Sequence, residues 1–450
     1  MDHIEAFLKE HRIDEVECLV PDMAGVARGK ILPAKKFISG MRSNGLRIPE
    51  AVFVQTVNGD YPDDAYDDKV VSPTAQDVYL VPDEDSIRLV PWYDEPTAQV
   101  ICDARFIDGD SVEIASRQML KRILDLYQEK NWTPVVAPEL EFYLVDVNTD
   151  PDYPLEPPVG RSGRRETSRQ AYGLDAVNEF DPLFEDVYDL CEAQGIDVDT
   201  LTHEGGAAQM EMNFNHGDPL LLADQAFLFK RTVREAGLRH QVYATFMAKP
   251  MQNEPGSSMH IHQSLLDAKT KKNLFATKSG KDTALFKNYI AGLQKYLPAM
   301  MPLVAPNVNS YRRLIPESDA PINTHWGYDN RTVGLRVPHS VPSARRVENR
   351  LAGADANPYL AMTATLACGY LGIEEKLKPR APIEGSAYRL AHTLPRTLYD
   401  AISRFNGTRA LKSVFPEKFI DAVTVVKEAE LNNYQQVISS WEREHLLLNV

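Results

Sequence analysis

Polar and apolar residues alternate with period two in four separate stretches of this chain, and the polar members are charged or metal-binding types. The stretches are Glu139-Leu140-Glu141, Gln209-Met210-Glu211, His260-Ile261-His262 and Arg346-Val347-Glu348-Asn349-Arg350. Residues i and i+2 of a strand share a face. Read as strands, the four turn carboxylates, imidazoles and guanidiniums to one surface and apolar side chains to the other. Residues 4–11 predict a short amphipathic helix, and 16–20 and 29–33 predict two strands around a turn. Residues 77–82 and 100–102 predict further strands, with Pro82 and Pro91-Trp92 as stops. The period then changes: Ile114, Met119, Leu120, Ile123 and Leu124 fall at helical spacing, which predicts a helix from near Ser111. Helices are also predicted over 183–193, 219–237, 283–301 and 356–378. Residues 58–68 (NGDYPDDAYDD) read as an acidic loop, and the Pro/Gly/Arg-rich 151–168 as a mobile one.

This order predicts an α+β chain of two domains, a β-rich 1–108 and a mixed 109–450. A length of 450 residues supports two or three domains. A composition of 43% hydrophobic and 25% charged residues is ordinary for a globular protein. No run of about 18 apolar residues occurs, so no membrane span is expected. The acidic start Met1-Asp2-His3-Ile4-Glu5 does not resemble a secretory leader. Cys18, Cys102, Cys191 and Cys368 are scattered without a CxxC, which suits reduced thiols and a cytoplasmic location. A net charge of −15 argues against a nucleic-acid surface and is compatible with a cationic substrate.

An isolated Glu-x-Glu is usually a solvated edge strand. Paired carboxylates repel unless a cation lies between them or one holds a proton, so Glu139 and Glu141 gain meaning from the other three segments. His260 and His262 form a plausible ligand pair, although either alone would serve as a hydrogen-bonded core histidine. The HEGG at 203–206 is not HExxH, which removes a zinc-protease reading. Carboxylate oxygens with one imidazole suit Mg²⁺ or Mn²⁺ better than structural zinc. Arg313, Arg331, Arg336, Arg345, Arg346 and Arg350 crowd into residues 313–350, and arginine forks bind phosphate and carboxylate in pairs of hydrogen bonds. No GxxxxGK[ST] loop is present, so a nucleotide must be held another way. The residues point to divalent-metal phosphoryl transfer in a β-walled cavity.

These same segments resemble the glutamine synthetase family. The matching text is ELEFYLV, HEGGAAQMEMNF, KPMQNEPGSSMHIHQSL, NSYRRLIPESDAPI, NRTVGLRVP and ARRVENRLAGADANPYLA, in family order. VPDMAGVARGK, DVYLVPD and LVPW extend a weaker match toward the N-terminus. The resemblance implies a small β-grasp-like N-terminal domain and a larger catalytic domain with a curved antiparallel strand funnel flanked by helices. It implies a ring-shaped homo-oligomer, a dodecamer of two hexamers, whose sites are completed by the neighbour's N-terminal domain. It also implies ATP as co-substrate with Mg²⁺ or Mn²⁺. The γ-carboxylate of L-glutamate attacks ATP, and an amine then displaces phosphate from γ-glutamyl phosphate.

Carried over by motif, Glu141, Glu204 and Glu211 would hold one metal, and Glu139, His260 and Glu348 the other. Arg313, Arg331 and Arg336 match arginines that hold the substrate carboxylate and the transferred phosphate. Arg346 and Arg350 match arginines on the phosphates. His262 and Ser264 would face the nucleotide, and Gly256 would let glutamate approach the backbone. Four departures stand out. The family's FDGSS, whose Asp binds ammonium, is replaced by GLRIPEAVF at 45–53. The Glu two residues before the flap proline is Asp319 in Pro316-Glu317-Ser318-Asp319-Ala320-Pro321, shorter by one methylene but still able to take a proton from an amine. Pro255 and Ser343 stand where the family has Asn and Lys. The expected activity is therefore ATP-dependent ligation of glutamate to an organic amine, nearest the γ-glutamylpolyamine (glutamate–putrescine) synthetases. Asp60, Asp63, Asp64, Asp67 and Asp68 are candidates to attract a polyamine. Glutamine synthesis from ammonia, a monoamine or ethanolamine substrate, and a non-catalytic nitrogen sensor are the alternatives.

Overall fold

The structure is a computed structural model that describes residues 2–67, 69–167, 169–316 and 318–450. Asp68 of the acidic loop, Ser168 of the Pro/Gly/Arg-rich loop and Glu317 of the flap lie outside the described residues. The first sheet has six strands: β1 (Glu15–Pro21), β2 (Ala27–Pro33), β3 (Arg47–Pro49), β4 (Asp77–Pro82), β5 (Arg88–Leu89) and β6 (Thr97–Arg105). Its order is β2-β1-β6-β4-β3, with β5 on β6, and β1 runs parallel to β6. α1 (Asp2–Glu10) and α2 (Ala34–Arg42) accompany it; α1 buries Ile4 and Leu8, and α2 buries Phe37.

The second sheet is curved, with eight strands: β7 (Trp132–Asp146), β8 (Val198–His203), β9 (Gln209–Phe214), β10 (Val242–Thr245), β11 (Met259–Asp267), β12 (Trp326–Tyr328), β13 (Leu335–Val337) and β14 (Val347–Asn349). The order is β12-β13-β14-β11-β7-β9-β8, with β10 pairing the far end of β7. Every pair is antiparallel except β12–β13, which is parallel. Helices α3 (Ser116–Glu129), α4 (Leu174–Asn178), α5 (Asp181–Ala193), α6 (Pro219–Arg239), α7 (Ala284–Tyr296), α8 (Met301–Val304), α9 (Pro358–Glu374), α10 (Leu398–Gly407), α11 (Glu417–Gln435) and α12 (Ser440–Leu446) complete the chain.

Helix α9 is apolar on every side and buried from Pro358 to Gly372, the pattern of a central core helix. It lies so close to α7 that a Cβ on Gly292 would fall 2.1 Å from the Cys368 carbonyl oxygen. Each large side chain buried in this core contributes roughly 1.5–3 kcal/mol. A buried polar knot joins the two sheets. Arg117 on α3 donates to Asp83 and Asp103 of the first unit and to Asp224 on α6. Arg231 on α6 reaches Glu17 on β1. All four cysteines are buried and free. Among the described residues no helix is long and apolar enough to cross a membrane.

Two predicted helices shift. The helix expected from Ser111 starts at Ser116, because Ser111 still bridges Arg105 and the Val112 amide bonds Ala104 on the first sheet. Residues 283–301 do not form one helix: α7 stops at Tyr296, a tight turn carries Pro298, and Pro302 opens α8, since proline cannot continue an i→i−4 ladder. The described residues of 151–168 hold no helix or strand apart from a bridge between Val159 and Arg165.

Candidate active site

β7 runs between β9 and β11, and its register sets the site. Glu139 lies opposite His260 on β11 and Asn213 on β9. Glu141 lies opposite Glu211. On the other side of β11, His262 pairs with Glu348 on β14, which in turn faces Arg336 on β13. The period-two pattern therefore converges on one surface. Two carboxylates directly opposed in an antiparallel ladder destabilise the sheet unless something lies between them.

That surface bounds a cavity of about 430 Å³. Glu139, Glu141, Glu204, Glu211, His260 and Glu348 line it, as do Arg313, Arg331, Arg336, Arg350, Gly256 and Asp319. A neighbouring cavity of about 620 Å³ is lined by His262, Ser264 and Arg346, and shares Glu139 and Asn213 with the first. Arg345 stays outside both, pairing with Asp282 and the Gly280 carbonyl.

Two triads have ligand atoms within 4.8 Å of one another: Glu139, His260 and Glu348, and Glu141, Glu211 and His260. The first is the set expected from sequence. In the second, His260 stands where Glu204 was expected, and Glu204 lines the same cavity without joining the group. The Nδ1 of His260 lies 3.4 Å from Glu139 and 3.8 Å from Glu348, while its Nε2 meets the Ser258 hydroxyl at 2.9 Å. Glu348 is gripped by Arg336 at 2.8 Å and Arg350 at 2.5 Å.

The electrostatics of the cluster suit a bound cation. Burial, and then the charge of Glu141 and its neighbours, pushes Glu211 up to about 9. Burial and Glu141 push Glu204 up to about 7. Glu139 goes the other way: burial alone would raise it, but hydrogen bonds from His260 and His262 hold it far below the usual carboxylate range. Glu348 is likewise lowered to about 2, because Arg350 and the two histidines outweigh its burial. A buried cluster of this composition fits one or more hard divalent ions, which accept carboxylate oxygens and tolerate one imidazole.

The two cavities are wired together. Arg346 donates from Nε to the Nδ1 of His262 at 3.1 Å, which leaves the His262 proton on Nε2, 2.8 Å from Glu139. Gly256 is required by a close approach, though from an unexpected side: a Cβ there would lie 2.3 Å from Arg313 Cγ and 2.6 Å from the Ala248 carbonyl oxygen. Arg313 is buried and donates to the Leu351 carbonyl. Asp319 is exposed and adopts φ +60°, a conformation that Asp and Asn tolerate better than most residues. Asp60, Asp63, Asp64 and Asp67 line neither cavity; Asp60 lies 3.5 Å from Asn433 on α11.

Sequence reasoning gave no role to three side chains. Ser258 clamps Glu141 with its amide at 2.7 Å and its hydroxyl at 2.6 Å. Gln209 donates to the Gly256 carbonyl at 3.0 Å and accepts from the Gly206 amide at 2.9 Å, holding the glycine loop. Asn213 lines both cavities, and its Oδ1 is buried without a partner. The signal was present, since Gln209, Glu211 and Asn213, and Ser258, His260, His262 and Ser264, continue the same period of two.

Residues 113–446 match the family described as glutamine synthetase, catalytic domain. A glutamate–isopropylamine ligase from Pseudomonas sp is 32% identical over 98% of this chain and 96% of its own length. The γ-glutamylputrescine synthetase PuuA of Escherichia coli (strain K12) is 34% identical over 96% of this chain and 92% of its own. A solved structure of apo GmaS without ligand superposes with a TM-score of 0.84 at 27% identity, covering all of both chains.

Proposed function

This chain belongs to the glutamine synthetase family, and from that premise we propose that it joins the γ-carboxylate of L-glutamate to an organic amine. Its class is the ATP-dependent glutamate–amine ligases. The observation that carries the finer reading is the pairing of a complete carboxylate–imidazole cluster with Asp319 at the cavity wall and no FDGSS at 45–53.

Glu139, Glu141, Glu204, Glu211, His260 and Glu348 would hold Mg²⁺ or Mn²⁺. Bound there, such ions supply positive charge that offsets the negative charge spreading over the transferred phosphoryl group. The chain's own groups do the rest. His262, Ser264 and Arg346 receive ATP in the larger cavity, and Arg346 also fixes the tautomer of His262. Arg313 and Arg331 orient glutamate, so that a γ-carboxylate oxygen attacks the terminal phosphorus and the bond to ADP breaks. Arg336 and Arg350 offer fixed donors to the acyl phosphate, which costs no reorganisation at the moment of reaction. The amine nitrogen then attacks the acyl carbon, phosphate leaves, and Asp319 takes the proton the amine sheds.

Among the described carboxylates that line the cavity, Asp319 alone is free of the metal set. A polyamine such as putrescine or spermidine therefore needs a second acid for its far ammonium. In a ring-shaped homo-oligomer, a dodecamer of two hexamers, the acidic loop of a neighbour's N-terminal domain would supply it. A monoamine such as isopropylamine or ethanolamine needs none, which makes it the second reading. Four buried free thiols suit a cytoplasmic setting. The test is phosphate release from glutamate, ATP and Mg²⁺ with ammonium, putrescine, spermidine, isopropylamine and ethanolamine. The proposal expects an organic amine to give the highest kcat/KM. Ammonium as the best acceptor would reinstate glutamine synthesis, and no turnover with any amine would leave a sensor.

A further inference from the structure

A third cavity, of about 430 Å³, lies away from the catalytic surface, between the β1–β2 turn, helix α6 and the chain after β10. Its charge balance is unusual. Lys230, Arg231, Arg234 and Lys427 line it against one carboxylate, Asp355. Two of the four cations are already matched: Arg231 by Glu17 at 2.9 Å, and Lys427 by Glu430 at 2.7 Å. The other two are not. Lys230 is buried and spends two of its three N–H bonds on the Ala354 and Ala356 carbonyls, at 2.6 and 2.8 Å. Arg234 has no carboxylate partner among the described residues. Both cations lie over the same ring, Phe246, at 5.5 and 5.4 Å.

One ring holding two like charges is a poor arrangement by itself. A cation–π contact is a weak attraction, and it does not offset the cost of burying an ammonium without a full counter-charge. Repulsion from Arg234 adds to burial in lowering Lys230 to about 7. Asp355 relieves Lys230 only in part: its charge opposes the lowering, but its Oδ2 accepts from Asn307 and Ser310, at 2.8 and 2.6 Å, and among the described residues it forms no ion pair with either cation. An anion would balance the pair. The remaining wall is mostly apolar, from Val26, Val57, Phe227, Ala244 and Phe246, with Thr245 and Asn307 as its polar members.

We propose that this cavity is a binding site for a small carboxylate with a short apolar body, its carboxylate set between Lys230 and Arg234. A carboxylate matches the fork of Arg234 and the free N–H of Lys230, and its apolar body matches Val26 and Phe227 better than a phosphate does. The site also touches the catalytic machinery through the backbone. Lys230 holds the Ala354 and Ala356 carbonyls, just beyond Arg350, and Asn307 on the rim precedes the turn that ends in Arg313. Occupancy would therefore stiffen the segments that carry two active-site arginines.

The test is calorimetry on the full-length protein with Mg²⁺, ADP and glutamate at saturation, so that catalytic anion sites are filled. Propionate, acetate and inorganic phosphate are titrated in turn. We expect saturable binding of propionate, tighter than acetate or phosphate, and at least tenfold weaker in Arg234→Ala. Arg234→Lys should recover part of the loss, and Arg331→Ala, at the catalytic cavity, should leave propionate binding intact. Turnover of Arg234→Ala without added propionate should equal that of the unaltered protein. No propionate binding to the unaltered protein would overturn the proposal, as would equal binding by Arg234→Ala or binding lost in Arg331→Ala instead. Phosphate binding more tightly than propionate would overturn the carboxylate assignment.

Discussion

Replacing Glu211 by glutamine should stabilise the metal-free protein while weakening its response to metal. Glu211 faces Glu141 across the β7–β9 ladder and, without a cation, is raised to about 9 from an ordinary 4.5. Its folded state therefore binds more protons than the unfolded chain between those two values. Stability depends on pH with the sign of that difference, so this group's contribution falls as pH rises from 4.5 through 9. At pH 8 the ceiling on the penalty is about 4–5 kcal/mol at ~1.36 kcal/mol per pH unit. Water reaching through the open cavity screens part of it and leaves about 2 kcal/mol. An unfolding entropy of ~2.1 cal/mol/K per residue converts this to a rise of roughly 2 °C in Tm for a chain of this length. The assay is calorimetric melting in chelator at pH 8 and pH 5.5, then with Mg²⁺ or Mn²⁺. Glu211→Gln should melt higher than the unaltered protein in chelator at pH 8, nearly equal it at pH 5.5, and gain less from metal. A lower Tm in chelator at pH 8, or an unchanged metal response, would refute the view that uncompensated carboxylate charge is stored here for a cation.

Three further outcomes are expected. Glu139→Ala and His260→Ala should each lose ADP formation by more than the ~10–100-fold typical of losing a ligand's supporting partner; product assays on chelator-treated, metal-reloaded protein check this, and unchanged ADP formation would count against both assignments. Asp319→Asn keeps a residue suited to positive φ and removes only the base, so amide formation should slow by about 10²–10⁴ while acyl-phosphate formation, trapped with hydroxylamine, changes little; equal loss in both steps would assign Asp319 another role. Gly256→Ala drives a methyl into Arg313 and the Ala248 carbonyl, which should cost roughly 1–3 kcal/mol of stability and raise KM for glutamate more than KM for ATP in steady-state kinetics.

The strand rows were legible because side-chain alternation is a backbone property. Glu139, Glu141, Glu211, His260 and Glu348 share a surface in the structure for the reason that made them visible in sequence. Their grouping into triads was not legible. Whether Glu204 or His260 completes the set around Glu141 and Glu211 depends on the turn at 205–208, where Ala208 takes φ +55° and the chain reverses, and spacing carries no trace of that reversal. The helices beyond 378 went unread for a different reason. α10 and α11 mix polar and apolar residues around their outer faces, and in such segments packing rather than propensity decides.

The third cavity shows the same limit from the other side. Lys230 and Arg234 are one helical turn apart on α6 and read as an ordinary basic face. Only the fold brings Phe246 under both of them, while Glu17 pairs with Arg231 and Asp224 with Arg117. A sequence reports which charges a chain carries. The tertiary structure decides which of them are left without partners, and those unmatched charges, the carboxylates on β7 and β9 and the cations on α6, are where a ligand has the most free energy to release.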